Sequence, residues 1–164
     1  ANKALVDAVS DMEGVAVFNL YELSQEIAFN VDEWSKIISD ASAVIYQFPF
    51  YWMSAPSLLK KWQDEVFTFL SKTPAVAGKP LTVVTTTGSE YEAYRSGGRN
   101  RFTMDELLRP YQVSAIHSGM SWQTPIVVYG MGTADAGKNI AEGANLYKQR
   151  VEMLIGSSNA GNNW

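Results

Sequence analysis

Two segments of this chain combine residue types that suit a flat, carbonyl-rich ligand. The first is Pro49-Phe50-Tyr51-Trp52-Met53-Ser54, placed directly after the apolar run Ala43 to Phe48. Large aromatics at that point cannot continue into a sheet core. They either wall a flat binding surface, with backbone N–H groups free to face it, or cover the top of the sheet. The second segment runs from Thr85-Thr86-Thr87-Gly88 through Ser89, Tyr91, Tyr94 and Arg95 to Gly98. Its Thr hydroxyls and successive N–H groups suit a carbonyl-rich or anionic edge. Gly88 lets a ligand approach the backbone closely. The segment is longer than a plain connection requires. No Gly-Lys-Ser/Thr follows it, so it is no P-loop, and Gly-x-Gly-x-x-Gly is absent as well.

Composition removes most other chemistry. Cys is 0 and His is 1. Disulfides, thiolate zinc, iron–sulfur clusters, thiol nucleophiles and multi-histidine metal sites are therefore out of reach, and no metal site is expected. The single histidine, His117, falls late on a helix, where it suits the last carbonyls and the dipole. Ser54, Ser57 and Ser89 lack a base. Asp32/Glu33, Asp64/Glu65 and Asp105/Glu106 read as solvated or first-turn charges. A net charge of -4 argues against nucleic acid as partner. No apolar run reaches the length of a membrane helix.

Positioning these segments requires an alternating chain. Leu5, Val6, Val9 and Met12 predict a helix over 2–13, ended by Gly14. Val15 to Leu20 reads as a strand. Asn30 with Glu33 has capping-box spacing ahead of a helix facing inward through Trp34, Ile37, Ile38 and Ala41. Ala43 to Phe48 reads as a strand buried on both faces. Pro56 opens a helix whose stripe is Leu58, Leu59, Trp62, Val66, Phe67 and Leu70. Leu81 to Thr86 is a strand. Thr103 and Glu106 form a second capping box, and Pro110 kinks or restarts the helix behind it. A strand over Ile126 to Tyr129 and a helix capped by Thr133, running to about Leu154, complete a single domain over 1–155. The Gly/Ser/Asn-rich stretch 156–164 is expected to be a flexible tail. The order αβαβαβαβα implies an α/β doubly wound parallel sheet, with ligands beyond the carboxyl ends of the strands.

Phe48-Pro49-Phe50-Tyr51-Trp52 followed by Pro56-Ser57-Leu58-Leu59-Lys60-Lys61-Trp62 resembles the flavodoxin-like NAD(P)H:quinone oxidoreductases. That family includes DT-diaphorase and the bacterial ancillary oxidoreductases of glutathione-gated potassium efflux systems. Asn19-Leu20-Tyr21, Thr85-Thr86-Thr87-Gly88 with Glu92-Ala93-Tyr94-Arg95, and Leu107-Leu108-Arg109-Pro110 agree with the bacterial branch. The resemblance spans nearly the whole chain, in family order.

The resemblance implies a flavin, FMN or FAD, with NAD(P)H as co-substrate and a small quinone-like acceptor. Pro49, Phe50, Tyr51, Trp52 and Met53 would line the isoalloxazine, with backbone N–H groups on its N5/O4 edge. Thr86, Thr87 and Gly88 would face the N1/O2 edge. Tyr94 would lie over the substrate side and act on a quinone oxygen. Asn2 would follow the phosphate loop at a helix N-terminus. The family histidine that assists proton transfer has no counterpart here: its neighbourhood is Gly98-Arg99-Asn100. Arg95, Arg99 or Arg101 could hold a phosphate or a partner acid, or be a solvated loop charge. Family sheets have the order 2-1-3-4-5 and begin with a strand ahead of the helix that opens this sequence. That central strand is expected to be missing from this chain, with about 20 residues preceding Ala1 in the natural protein. Implied too are a homodimer with its site at the subunit interface, a ping-pong reaction and a cytoplasmic location. A second reading is a regulatory subunit docked on a potassium efflux transporter at the inner face of the membrane. A third, weaker one is an electron-carrier flavodoxin.

Overall fold

The computed structural model describes residues 1–23 and 28–160. Its sheet is built on β2 (Pro80–Thr86), six of whose seven residues are buried. β1 (Val44–Pro49) pairs with it in parallel, from Val44 opposite Leu81 to Pro49 opposite Thr86. Two short parallel strands share its other edge, β3 (Ser121–Trp122) and β4 (Ile126–Val128). β3 was not expected from the sequence; two residues carry no readable period. Pro125 has no N–H to donate, and it falls in the break between β3 and β4.

Helices cover both faces. On one, α1 (Asn2–Val9) and α8 (Ala136–Ala160) pack Leu5, Val9, Tyr147 and Val151 against Val84, Ile126 and Val128. On the other, α3 (Val31–Asp40), α4 (Ser57–Trp62) and α7 (Arg109–His117) bring Trp34, Ile38, Leu59, Trp62, Tyr111 and Ala115 onto Tyr46, Phe48, Leu81 and Val83. This is the expected α/β architecture. Asn30 caps α3 by accepting from the N–H groups of Asp32 and Glu33. Thr103 and Glu106 form a full capping box on α6 (Met104–Leu107), and Pro110 restarts the chain as α7. Behind α4, one π-helical turn (Gln63–Phe67) and a short α5 (Thr68–Leu70) continue the same buried stripe.

Three expectations are corrected. Val15 to Leu20 is not a strand: residues 15–19 are irregular, and Leu20 begins the short helix α2 (Leu20–Leu23). A strand needs a neighbour for its ladder, and among the described residues none lies beside this segment. Its β-rich composition instead leaves Val17 and Phe18 exposed, Phe18 resting edge-on against Trp34 at 5.4 Å. The expected parallel sheet itself holds: the described strands run β1-β2 and then β3 and β4, with no described strand on the outer edge of β1. Thr133 does not cap α8, which begins at Ala136; its hydroxyl donates to Gly130 O at 2.8 Å, closing the preceding turn. α8 also runs to Ala160, past the expected domain end at 155, while 161–164 lie outside the described residues.

Gly143 shows how closely α8 lies on the sheet. A Cβ there would stand 2.3 Å from Val128 Cγ2. Helix propensity alone would make Gly143→Ala stabilising by about 1 kcal/mol. Overpacking of this kind costs about 1–3 kcal/mol, so the net effect is destabilisation. Urea melts should show a loss for Gly143→Ala that Val128→Ala in the same chain largely reverses. Additive losses would rule out this contact as the cause.

Candidate functional site

β1 and β2 end level, so the two chemistry-bearing loops emerge side by side. The Phe50 N–H donates to Thr86 O at 2.9 Å and ties the first loop to the end of β2. Asn2, at the start of α1, donates from Nδ2 to Thr86 Oγ1 at 2.7 Å. Gln47 Nε2 donates to Asn2 O at 2.9 Å, fixing α1 against β1. The Asn2 Oδ1 is buried and has no partner among the described residues. Thr86 Oγ1 accepts from Asn2, which leaves its own O–H to donate elsewhere. The first amides of α1 lie beside this pair, as at any helix start.

The aromatic wall divides in two. Phe50 is buried, and its ring meets Tyr94 edge-to-face at 6.0 Å. Tyr94 sits on the 3-10 turn Tyr91–Tyr94 and touches Tyr129 at 5.8 Å. Tyr51, Trp52 and Met53 instead stand outward, Trp52 at 99% exposure. They form a tight hairpin in which Tyr51 N–H and Ser54 O, and Ser54 N–H and Tyr51 O, pair at 2.9 and 3.0 Å. Its two central residues are left-handed, φ +48° at Trp52 and +61° at Met53. Such turns favour Asn and Gly, because a Cβ is strained there. Tyr111 holds the exit of this loop, its hydroxyl accepting the Ala55 N–H at 3.1 Å.

The second loop spends part of what the sequence offered. Thr87 is fully buried; its N–H donates to Val128 O at 2.9 Å and its hydroxyl to Ser89 O at 2.7 Å. Thr87 therefore braces the loop and has no donor left for a ligand. Gly88 is exposed, with open space where a Cβ would lie, and its carbonyl accepts from Gly132 N–H at 2.9 Å. Among the described residues, the N–H groups of Trp52, Met53, Gly88 and Ser89 have no acceptor.

Of the expected residues, Asn2, Pro49, Phe50, Thr86 and Tyr94 converge, Gly88 flanks them, Tyr51, Trp52 and Met53 border them, and Thr87 lies beneath. Tyr129 and Gln47 join them and were not singled out by the sequence. Tyr129 had a readable signal: it follows a strand at the same carboxyl edge. Gln47 had none, since its role depends on α1 lying against β1.

Fit to a flavin can be judged on these residues. A buried aromatic pair, two sets of unspent amides at level strand ends and an orphaned amide oxygen match a flat heterocycle with carbonyl edges. No His/Cys/Asp/Glu group able to hold a metal ion occurs among the described residues.

Comparison with known proteins agrees with this geometry. The family described as having a flavodoxin-like fold matches residues 1–151. An uncharacterised NAD(P)H oxidoreductase of Bacillus subtilis, YdeQ, is 34% identical over 157 residues, covering 93% of this chain and 79% of the relative. The KefG ancillary protein of the glutathione-regulated potassium-efflux system of Pectobacterium atrosepticum is 34% identical over 133 residues, covering 79% and 73%. The crystal structure of general stress protein 14 of Treponema denticola in complex with FMN superposes with a TM-score of 0.83 at 27% identity, covering 93% of this chain and 89% of that one.

Two measurements follow from the site. Met53→Gly removes a Cβ from a left-handed position and should stabilise the chain by about 1 kcal/mol. Its melting temperature should rise by roughly 2–4 °C; an unchanged or lower value would show that the turn is unstrained. The second concerns alkali. Burial, then the Asp105 charge, pushes the Tyr129 phenol up to about 12. Burial does the same for Tyr147, also to about 12, and raises Tyr46 further. These protons are held more tightly folded than unfolded, so the stability they contribute is complete below about pH 10 and lost as pH rises towards 12. Urea midpoints should be flat from about pH 8 to 9.5 and fall above 10, less steeply in Tyr147→Phe.

Proposed function

This chain belongs to the flavodoxin-like family, and on that premise we propose that it is a flavin-dependent NAD(P)H oxidoreductase acting on a quinone-like acceptor. The observation that carries this reading is the convergence at the ends of β1 and β2. There the Phe50–Tyr94 pair meets unspent N–H groups at Trp52, Met53, Gly88 and Ser89. The similarity to the Bacillus NAD(P)H oxidoreductase YdeQ and the FMN held by the Treponema protein support it and favour FMN over FAD.

When bound, the flavin supplies hydride acceptance at N5 from NAD(P)H and delivery to the acceptor, in two half-reactions at one face. The chain's part is to bind, orient and exclude water. Phe50 and Tyr94 provide the dry aromatic wall. The Trp52 and Met53 amides would donate at the N5/O4 edge. The Gly88 amide and the Thr86 hydroxyl, held by Asn2, would donate at the N1/O2 edge, where fixed dipoles favour the added negative charge. Thr87 would act through Gly88 by bracing it. Tyr94 O–H has no partner among the described residues, so it is available to donate to an acceptor oxygen. With no histidine on this loop, Tyr94 or a water would move that proton. The exposed Tyr51–Met53 edge fits coverage by a second copy of the chain, completing the site at a homodimer interface.

A second reading rests on one comparison. The similarity to KefG supports an ancillary role on a potassium-efflux transporter, with the protein cytoplasmic and docked at the inner face of the membrane. No described helix is long and apolar enough to cross a membrane. Co-purification with such a transporter from the same genome, or its failure, decides this reading.

The enzyme reading predicts that the full-length protein, supplied with FMN, shows a bound-flavin absorbance that bleaches on anaerobic addition of NADPH and returns on adding a quinone. Absence of binding, or of bleaching, would sink it. In Tyr94→Phe the bleaching step should be unchanged while the quinone step slows by roughly 10- to 100-fold.

A further inference from the structure

Between Tyr94 and Met104 the chain carries Arg95, Arg99 and Arg101. Among the described residues, the ion pairs all belong to lysines, and none of these three arginines meets a carboxylate. The segment bearing them is nonetheless tightly wound. Gly98 N–H donates to Arg95 O at 2.9 Å, Asn100 N–H to Ala93 O at 3.0 Å and Arg101 N–H to Gly98 O at 2.9 Å. Gly98 lies flat on the 3-10 turn: a Cβ there would stand 2.2 Å from Glu92 O. The backbone thus fixes where the arginines emerge.

Two of them are placed on one short stretch. Arg99 Nη2 donates to Ser89 Oγ at 2.6 Å, and the Arg95 guanidinium lies 5.4 Å from the centre of the Tyr91 ring. Ser89 and Tyr91 are two residues apart, immediately after Gly88. Tyr91 and Arg95 also line a groove of about 790 Å³ whose wall includes Tyr94, Ser96, Asp105 and Tyr129. Arg150, on the same groove, is committed to Thr124 O at 2.7 Å. Arg95, which lines the groove that reaches Tyr94 and lies by the half-exposed Tyr91 ring, and Arg99, held on Ser89, both keep fork donors to spare.

A phosphate monoester carries nearly two charges near neutral pH and three acceptor oxygens, which guanidinium forks match in geometry. We propose that Arg95 and Arg99 form a subsite for the ribose 2′-phosphate of the reducing dinucleotide, so that the chain prefers NADPH to NADH. This deepens the reading above, on which the dinucleotide's role depends. The pyrophosphate is common to both dinucleotides and offers no such discrimination.

The test uses fragments, so that it does not depend on turnover. Calorimetry on the full chain compares adenosine 2′,5′-bisphosphate with adenosine 5′-monophosphate, and inorganic phosphate serves as competitor. The bisphosphate should bind at least about tenfold more tightly to the wild type. Arg95→Gln with Arg99→Gln together should bring the ratio within about twofold, while Arg99→Lys, which keeps the charge without the fork, falls between. FMN affinity, read from flavin fluorescence, should be unchanged in every variant. Equal affinities in the wild type, a preference that survives in the double variant, or displacement by inorganic phosphate at matching affinity would each overturn the proposal. If FMN binds but the preference is absent, this subsite alone fails. If the preference is present but FMN does not bind, the flavin reading fails and the subsite stands.

Discussion

The site depends on one constraint, the level ending of β1 and β2. Their register carries through to Pro49 opposite Thr86, and the Phe50 N–H then adds one more bond to Thr86 O. In a parallel ladder that single register decides which loop residues meet. A slip by one residue would send Phe50 to the opposite face of the sheet. The aromatic pair with Tyr94 would then be lost, and Asn2 would no longer face the Thr86 hydroxyl. The register itself is held by the two cores. Both faces of β2 are buried, so a slip would move each side chain into the other core, whose packing does not match its shape.

With the register fixed, the two loops solve the same problem differently. The first exposes its amides through strain, placing Trp52 and Met53 left-handed where glycine would be comfortable. Each such residue costs on the order of 1–2 kcal/mol, a cost that burial of the side chains does not offset, since Trp52 stands in solvent. Strain held against an exposed apolar surface is intelligible if a ligand or a second copy covers it. The second loop exposes its amides through bracing instead. Thr87 gives both its donors to the protein, and Gly132 holds the Gly88 carbonyl, so the amides of Gly88 and Ser89 are left over rather than strained out.

Legibility in the sequence followed the range of the interactions. The helices were readable where local chemistry decides them: Asn30 and Thr103 as caps, Pro110 as a restart, the Trp34 and Trp62 stripes as buried faces. Val15 to Leu20 misled because β-propensity reports a side chain's fit to a pleated surface, not the presence of a neighbour to pair with. The site was readable as two loops but not as a partition. Thr86 and Thr87 look equivalent in sequence, and successive residues on a strand end point to opposite faces. Only the packing of β4 beside β2 shows that Thr87 spends its N–H on Val128, while Thr86 keeps a hydroxyl proton free. Arg99 could be named as a candidate, but its bond to Ser89 needs the fold-back made possible by Gly98.

That fold-back also bears on how an acidic chain would meet the proposed anionic co-substrate. A net charge of -4 repels a dinucleotide at long range, yet beyond a Debye length of about 8 Å that repulsion is screened at physiological salt. What remains is local. The chain's lysines are in good part tied up in i,i+4 pairs on helix surfaces, at Lys3, Lys60, Lys61 and Lys138. Arg95 and Arg99 are instead turned by the backbone towards Tyr91 and Ser89 and meet no carboxylate. Pairing the lysines elsewhere and leaving these guanidinium groups unpaired concentrates available positive charge at one edge of the site. An overall charge therefore says little about the sign of the surface a ligand meets; the hydrogen bonds that fix Gly98 and Asn100 say more.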